Sequence, residues 1–202
     1  MCGTGFGFSV EEEEVGKLPK VPSIKSATGK PRVTIEDSKE GWSDSVKVLM
    51  NSLYAGQNVY FNYDFIREEG ARLMTMGGRA SGPLPLIKLH DFIRETMHNA
   101  QGRKLTPLEA HDICNQIAEI VVVGGVRRSS QISLSDLSDQ DMRHAKDWPY
   151  PIKRAMANNS AIYREQPSAA EFLKEWGSLA LSGTGERGIF NLEAAQSKAP
   201  PR

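Results

Sequence analysis

The chain has 202 residues, 25 Lys+Arg against 25 Asp+Glu, with 39% hydrophobic and 25% charged residues. Zero formal net charge argues against a dedicated nucleic-acid binder, which carries a strong cationic field. The sequence has neither a run of about 18 apolar residues nor a basic start followed by an apolar stretch, so it is expected to be a cytoplasmic protein of one or two domains, with no membrane partner. Two cysteines, Cys2 and Cys114, make neither a disulfide framework nor a zinc-ligand spacing, so no metal site is expected from this chain alone.

At the start, MCGTGFGFSV places Gly3, Gly5 and Gly7 at alternate positions, which suits a strand or an extended loop that another group approaches closely. A dinucleotide-binding fingerprint would need a helix to open directly afterwards. Instead four glutamates and KLPKVP follow, which read as extended or turn backbone. Residues 17–39 are rich in Pro, Ser, Lys and Gly without apolar periodicity, and are expected to form a surface insertion or long solvated loop. Ser43 then precedes Val46, Leu49, Met50, Leu53 and Tyr54 at helical spacing, and Gly56 supplies a stop. Residues 59–66, VYFNYDFI, are aromatic and partly alternating, which predicts a strand.

Residues 67–82, REEGARLMTMGGRASG, combine Gly70, Gly77, Gly78 and Gly82 with Arg67, Arg72 and Arg79. Leu86, Leu89, Ile93 and Met97 mark the apolar face of a helix expected to end near Gly102. A capping box, Thr106-Pro107-Leu108-Glu109, opens the next helix, which runs to Ile120 and contains Cys114. With no cation nearby to favour a thiolate, Cys114 reads as a structural thiol.

The apolar run IVVV leads into GGVRRSS at 124–130, and a strand-like pattern resumes at 131–134. Free backbone N–H groups, guanidinium forks and hydroxyls within seven residues are the groups that bind phosphate. Surface pairing of Arg127 and Arg128 with Asp136 or Asp139 is the competing reading. Further on, Ser168-Ala169-Ala170-Glu171 forms a second capping box, for a helix with Phe172, Trp176 and Leu179 on one face and Gly183 beyond its end. Residues 185–191 read as a turn feeding a short apolar strand, and residues 198–202 carry no visible structure.

Taken together, CGTGFGFSVE, GWSDSV, IREEGARLMTMGGRASGPLPL, GRKLTPLEAHDICNQIAEIVVVGGVRRSSQISLSDLSDQDM, ANNSAIY and GERGIFNLEAA occur in this order in adenosylcobalamin-dependent ribonucleoside-triphosphate reductases, and the chain resembles that family along essentially its whole length. The resemblance implies an α/β fold, with residues 1–202 forming part of the ten-stranded α/β barrel of ribonucleotide reductases, incomplete in this chain. It implies a share in converting ribonucleoside triphosphates to 2′-deoxyribonucleotides by a cobalamin-initiated radical route. Adenosylcobalamin serves the complete enzyme as cofactor. The implied partners are the remaining portion of the reductase, a ribonucleoside triphosphate substrate, a deoxynucleoside triphosphate effector and thioredoxin.

Carried over residue by residue, the resemblance implies that Arg67, Arg72 and Arg79 bind the effector. Gly124, Gly125, Arg127, Arg128, Ser129 and Ser130 would form a specificity loop between effector and substrate base, and Asn158, Asn159 and Ser160 would lie on the substrate side. The insertion at about 11–44 would help build the effector site. The family's Asn-Pro-Cys-Gly-Glu radical motif is absent, and neither Cys2 nor Cys114 matches a reducing cysteine, so no catalytic residue is assigned and the chain alone is expected to be inactive. A partial record, a piece of an interrupted gene and a split subunit are each compatible with this pattern. The alternative function is a non-catalytic nucleotide-binding or regulatory module derived from such an enzyme.

Overall fold

The computed structural model describes residues 5–26, 32–73, 78–121 and 130–199. In chain order the elements are β1 (Gly5–Ser9), α1 (Glu12–Val15), β2 (Val33–Thr34), α2 (Lys39–Tyr54), β3 (Phe61–Asn62), α3 (Leu84–Asn99), α4 (Pro107–Glu119), β4 (Ser130–Asp136), α5 (Gln140–Arg143), β5 (Ala157–Tyr163), α6 (Ala169–Ser182), β6 (Gly188–Asn191) and α7 (Leu192–Lys198), with a 3-10 turn at Ile152–Met156 before β5.

β1, β4, β5 and β6 pair in that order as a parallel sheet, and β2 pairs with β3 in a short parallel ladder. Parallel neighbours need long crossovers. The crossover from β1 to β4 carries α2, α3 and α4, whose apolar stripes meet in a core containing Leu49, Leu53, Leu86, Leu89, Ile93, Met97 and Ile113. At α4 the capping box is complete: Thr106 accepts from the Glu109 N–H and the Glu109 carboxylate accepts from the Thr106 N–H. The same reciprocal pair forms between Ser168 and Glu171 at α6, and Gly183 ends that helix in the left-handed region.

Several sequence expectations change. Helix α2 starts at Lys39 rather than beyond Ser43, because the Ser38 hydroxyl caps it by accepting from the Gly41 N–H. The aromatic run 59–66 supplies only the two-residue β3, since its partner β2 is equally short. One helical turn, α1, follows β1 where extended backbone is expected; its three glutamates sit in the first turn, where the N-terminal dipole favours acid. Far from being solvated throughout, the insertion buries Val15, Val21 and Ile35 in the core, and Val21 exchanges backbone hydrogen bonds with Gly102 and Arg103. Its apolar residues are too sparse to show a period, yet Val15, Leu18, Val21, Ile24 and Ile35 reach the helical cluster, and Val33 stays exposed. The segment before the tail forms α7, capped by Asn191.

Two imidazoles are fully buried. His90 sits between Ser45 Oγ at 3.1 Å and Tyr63 OH at 2.7 Å, and its ring lies 4.6 Å from that of Phe61. His111 joins Ser133 Oγ at 3.0 Å to Asn115 Nδ2 at 2.7 Å, tying α4 to β4. Burial lowers the pKa of His90 to about 3 and that of His111 to about 4. Both stay neutral in the folded state while the unfolded chain takes up protons below about 6.5. Stability is therefore full above that value and falls as pH drops toward the folded pKa values, by up to about 1.4 kcal/mol per pH unit for each imidazole. Urea midpoints should fall between pH 6.5 and 5, before most carboxylates titrate; equal midpoints at the two pH values would show that these imidazoles do not resist protonation.

Candidate functional site

A cleft of about 530 Å³ opens between the segment 69–81, the first turns of α3 and the last turn of α4. The chain reverses there: Gly70 N–H donates to Ala80 O at 2.9 Å, Ala80 N–H to Ala71 O at 2.8 Å, and Leu73 N–H to Gly78 O at 3.1 Å. This antiparallel pairing sets Arg72 directly opposite Arg79. Directly opposed residues share a face, and like charges so placed repel unless an anion lies between or beside them. Arg79 spends one N–H on Gly70 O at 2.9 Å and lines the cleft. Lys88 adds a second cation to the wall, while Glu69, Gln116 and Glu119 add acceptors and Leu84, Pro85 and Ile120 an apolar surface. The volume lies within the usual range for a small-molecule site.

A second feature is the sheet itself, whose two faces differ. Gln131, Ser133 and Ser135 point to the face covered by α4 and by Arg187. On the opposite face the register aligns Gly5, Gly7 and Ser9 of β1 with Ser130, Ile132 and Leu134 of β4, then Asn158, Ser160 and Ile162 of β5, then Gly188 and Phe190 of β6. At two of these glycines the space is already taken: a Cβ on Gly7 would lie 2.9 Å from Ile132 Cγ2, and one on Gly188 2.8 Å from Ser160 Oγ. The face is consequently low along β1 and β6 and mixed at its centre, where Ser130, Asn158 and Ser160 stand beside Ile132, Leu134 and Ile162, with Ser130 and Asn158 exposed.

The structure brings together some of the candidate residues and separates others. Arg72 and Arg79 are neighbours. Arg67 is held apart from them, its Nε donating to Asp37 Oδ2 at 2.6 Å. Gly124, Gly125, Arg127, Arg128 and Ser129 lie outside the described residues. Ser130 opens β4 on the glycine-lined face with Asn158 and Ser160, whereas Asn159 is buried on the helix side, opposite Ser133. The carboxylates named as alternative partners for Arg127 and Arg128 each accept from a backbone N–H: Asp136 Oδ2 from Glu12 of α1 at 2.7 Å and Asp139 Oδ1 from Met142 at 2.9 Å. Lys88, Gln116 and Glu119 escaped the sequence reading. Their only signal was position, on the polar sides of helices whose ends flank the two glycine-rich segments.

The Cys114 thiol is pushed up to about 11 by burial, and remains protonated at neutral pH. Neither buried imidazole offers a free nitrogen to cobalt, since both ring nitrogens of each are within hydrogen-bond distance of a neighbour. No group of three or more His, Cys, Asp or Glu among the described residues could hold a metal ion. Among the same residues no helix is long and apolar enough to cross a membrane.

The parallel sheet packs helix α4 on one face and lays glycines, Ser130, Asn158 and Ser160 among Ile132, Leu134, Ile162 and Phe190 on the other, and parallel strands joined by helical crossovers are the building unit of α/β folds. No family model matches the chain. It is 30% identical over 238 residues to the adenosylcobalamin-dependent ribonucleoside-triphosphate reductase of Lactobacillus delbrueckii subsp. bulgaricus, covering 98% of this chain and 31% of that protein. The reductase of the same name from Euglena gracilis is 32% identical over 167 residues, covering 81% of this chain and 22% of that protein. Among solved structures, the crystal structure of a B-12 dependent (class II) ribonucleotide reductase matches with a TM-score of 0.70 at 26% identity, covering 80% of this chain and 27% of the other. The chain is thus similar, along nearly its whole length, to a segment of the adenosylcobalamin-dependent ribonucleoside-triphosphate reductases, and its α/β fold with a parallel sheet matches part of the class II reductase structure. It spans about a third of the length of those relatives.

Proposed function

We propose that residues 1–202 contribute part of the barrel and the effector-sensing region to a cytoplasmic, thioredoxin-linked ribonucleotide reductase that uses adenosylcobalamin to convert ribonucleoside triphosphates to 2′-deoxyribonucleotides. In this reading a deoxynucleoside triphosphate effector binds at the cleft with Arg72 and Arg79 on its phosphates, and the substrate lies on the glycine-lined face near Ser130, Asn158 and Ser160. Asn159 contributes from behind the sheet. Arg67, paired with Asp37, joins the insertion at 11–44 to the base of the effector region. Cys2 and Cys114 supply no radical or reducing chemistry, so the chain by itself is inactive.

One observation carries the coupling between the two sites. Ile120 lines the cleft and Ser130 opens β4 on the glycine-lined face, so the segment bearing Gly124, Gly125, Arg127, Arg128 and Ser129 is anchored at the effector cleft on one side and at the substrate face on the other. In this reading Arg127, whose guanidinium can pair with phosphate or base acceptors, links effector identity to substrate preference.

The test is Arg127→Ala in the complete enzyme containing this segment. Basal reduction should persist, and the effector dependence of substrate choice should shrink by about 1–3 kcal/mol. Competition between two substrates under each effector measures it. Unchanged product ratios would return Arg127 to a surface ion-pair role, worth less than about 1 kcal/mol.

A further inference from the structure

The cleft contains more than the arginines require. Lys88 stands on the second turn of α3, exposed and with its ammonium unpaired among the described residues, in the same cleft as Arg79. Across the cleft, Gln116 and Glu119 lie one turn apart at the end of α4, and the Gln116 amide donates to Glu119 Oε2 at 2.5 Å. A nucleotide has matching ends: an anionic phosphate chain, and a nucleoside with sugar hydroxyls and base N–H groups that donate hydrogen bonds. Cations on the hairpin and on α3 suit the first, and a carboxylate with an amide oxygen suits the second. Ile120 follows Glu119 directly and leads into residues 122–129.

Resting on the effector reading above, we propose that Lys88 binds the phosphates of the nucleotide in this cleft, and that Gln116 and Glu119 hold its nucleoside end. Glu119 is then a specificity-determining residue: from the last turn of α4 it accepts from a hydroxyl or a base N–H, so the nucleosides that present such a donor there bind best.

Equilibrium binding to the purified 202-residue chain tests this with three probes: each deoxynucleoside triphosphate, tripolyphosphate and deoxyadenosine. Lys88→Ala should weaken both the nucleotides and tripolyphosphate by about tenfold or more, the scale of one charge-assisted hydrogen bond, and Lys88→Arg should restore much of the loss. Glu119→Gln, nearly isosteric, should weaken deoxynucleotides by a similar factor, alter their ranking, and leave tripolyphosphate unchanged. Circular dichroism of each variant checks that the fold is kept. Wild-type affinity for deoxynucleotides in both Lys88→Ala and Glu119→Gln, with loss in Arg79→Ala, would overturn the proposal and leave the effector site standing. Absence of nucleotide binding by the wild-type chain, or binding untouched by Arg72→Ala and Arg79→Ala, would overturn both.

Discussion

The purified 202-residue chain, supplied with adenosylcobalamin, thioredoxin and any ribonucleoside triphosphate, is expected to form no deoxynucleotide above background. Radical removal of the ribose 2′-hydroxyl in this family needs a hydrogen-abstracting thiyl and two electron-donating thiols, and the cofactor supplies only the initiating homolysis. The chain has two cysteines in all, one too few before their positions are considered. Of these, Cys114 lies within α4 with its thiol held protonated by burial. It is a half-buried side chain of the crossover helix, on the side of the sheet away from the proposed substrate face: the carbonyl of Cys114 accepts from the Gln131 amide on the helix-covered side. Cofactor-dependent turnover by the chain alone, measured as deoxynucleotide formed, would sink the assignment of chemistry to residues outside it. Turnover that survived Cys114→Ser would in addition exclude this thiol.

Glu175→Ala is expected to destabilise the fold by about 3–5 kcal/mol, lowering the thermal midpoint by roughly 6–20 °C. Glu175 is the one buried residue of α6, 4% exposed. Its carboxylate pairs with Arg143, the last residue of α5, and with Arg187, just before β6, itself 5% exposed. Arg187 also donates to the Asp136 carbonyl at 2.9 Å and the Leu137 carbonyl at 2.6 Å. One carboxylate therefore joins α5, α6, the end of β4 and the start of β6. Removing it leaves two guanidiniums facing each other without a counter-charge, and unpaired buried charge is far more costly than the net value of an intact pair. Lys174→Ala, on the exposed side of the same helix, should change stability by no more than about 0.5 kcal/mol. Calorimetry that found Glu175→Ala as mild as Lys174→Ala would show this end of the sheet to be open to water.

The same helix shows where sequence and structure part. Phe172 and Trp176 were expected to share a face, and they do: their rings stack at 6.2 Å between centroids. The rings on that face are nevertheless exposed, Phe172 at 38% and Trp176 at 52%, while the buried position belongs to a glutamate. Helical spacing tells which residues travel together, but not which side meets the protein. Here the decision lay with two arginines more than ten residues away in the chain, which no local pattern encodes.

What the sequence determined by itself was local, or carried by motif order. Capping boxes at Thr106 and Ser168 form from side chains three residues apart, apolar stripes on α3 and α4 follow the helical period, and alternating glycines mark β1; each is settled within a turn or a strand. Motif order along the chain was enough to point to the reductase family. Tertiary structure alone decided the rest. The pairing β1-β4-β5-β6 joins Gly5 to Ser130 across 124 intervening residues, and it split Asn158 and Ser160 from Asn159 because neighbours on a strand point to opposite faces. The bridge of Arg72 to Arg79 depends on a chain reversal, and the cleft on three segments meeting. A site assembled from separate elements has no spacing of its own in the sequence, which is why Lys88, Gln116 and Glu119 became visible only when the helices that bear them were packed together.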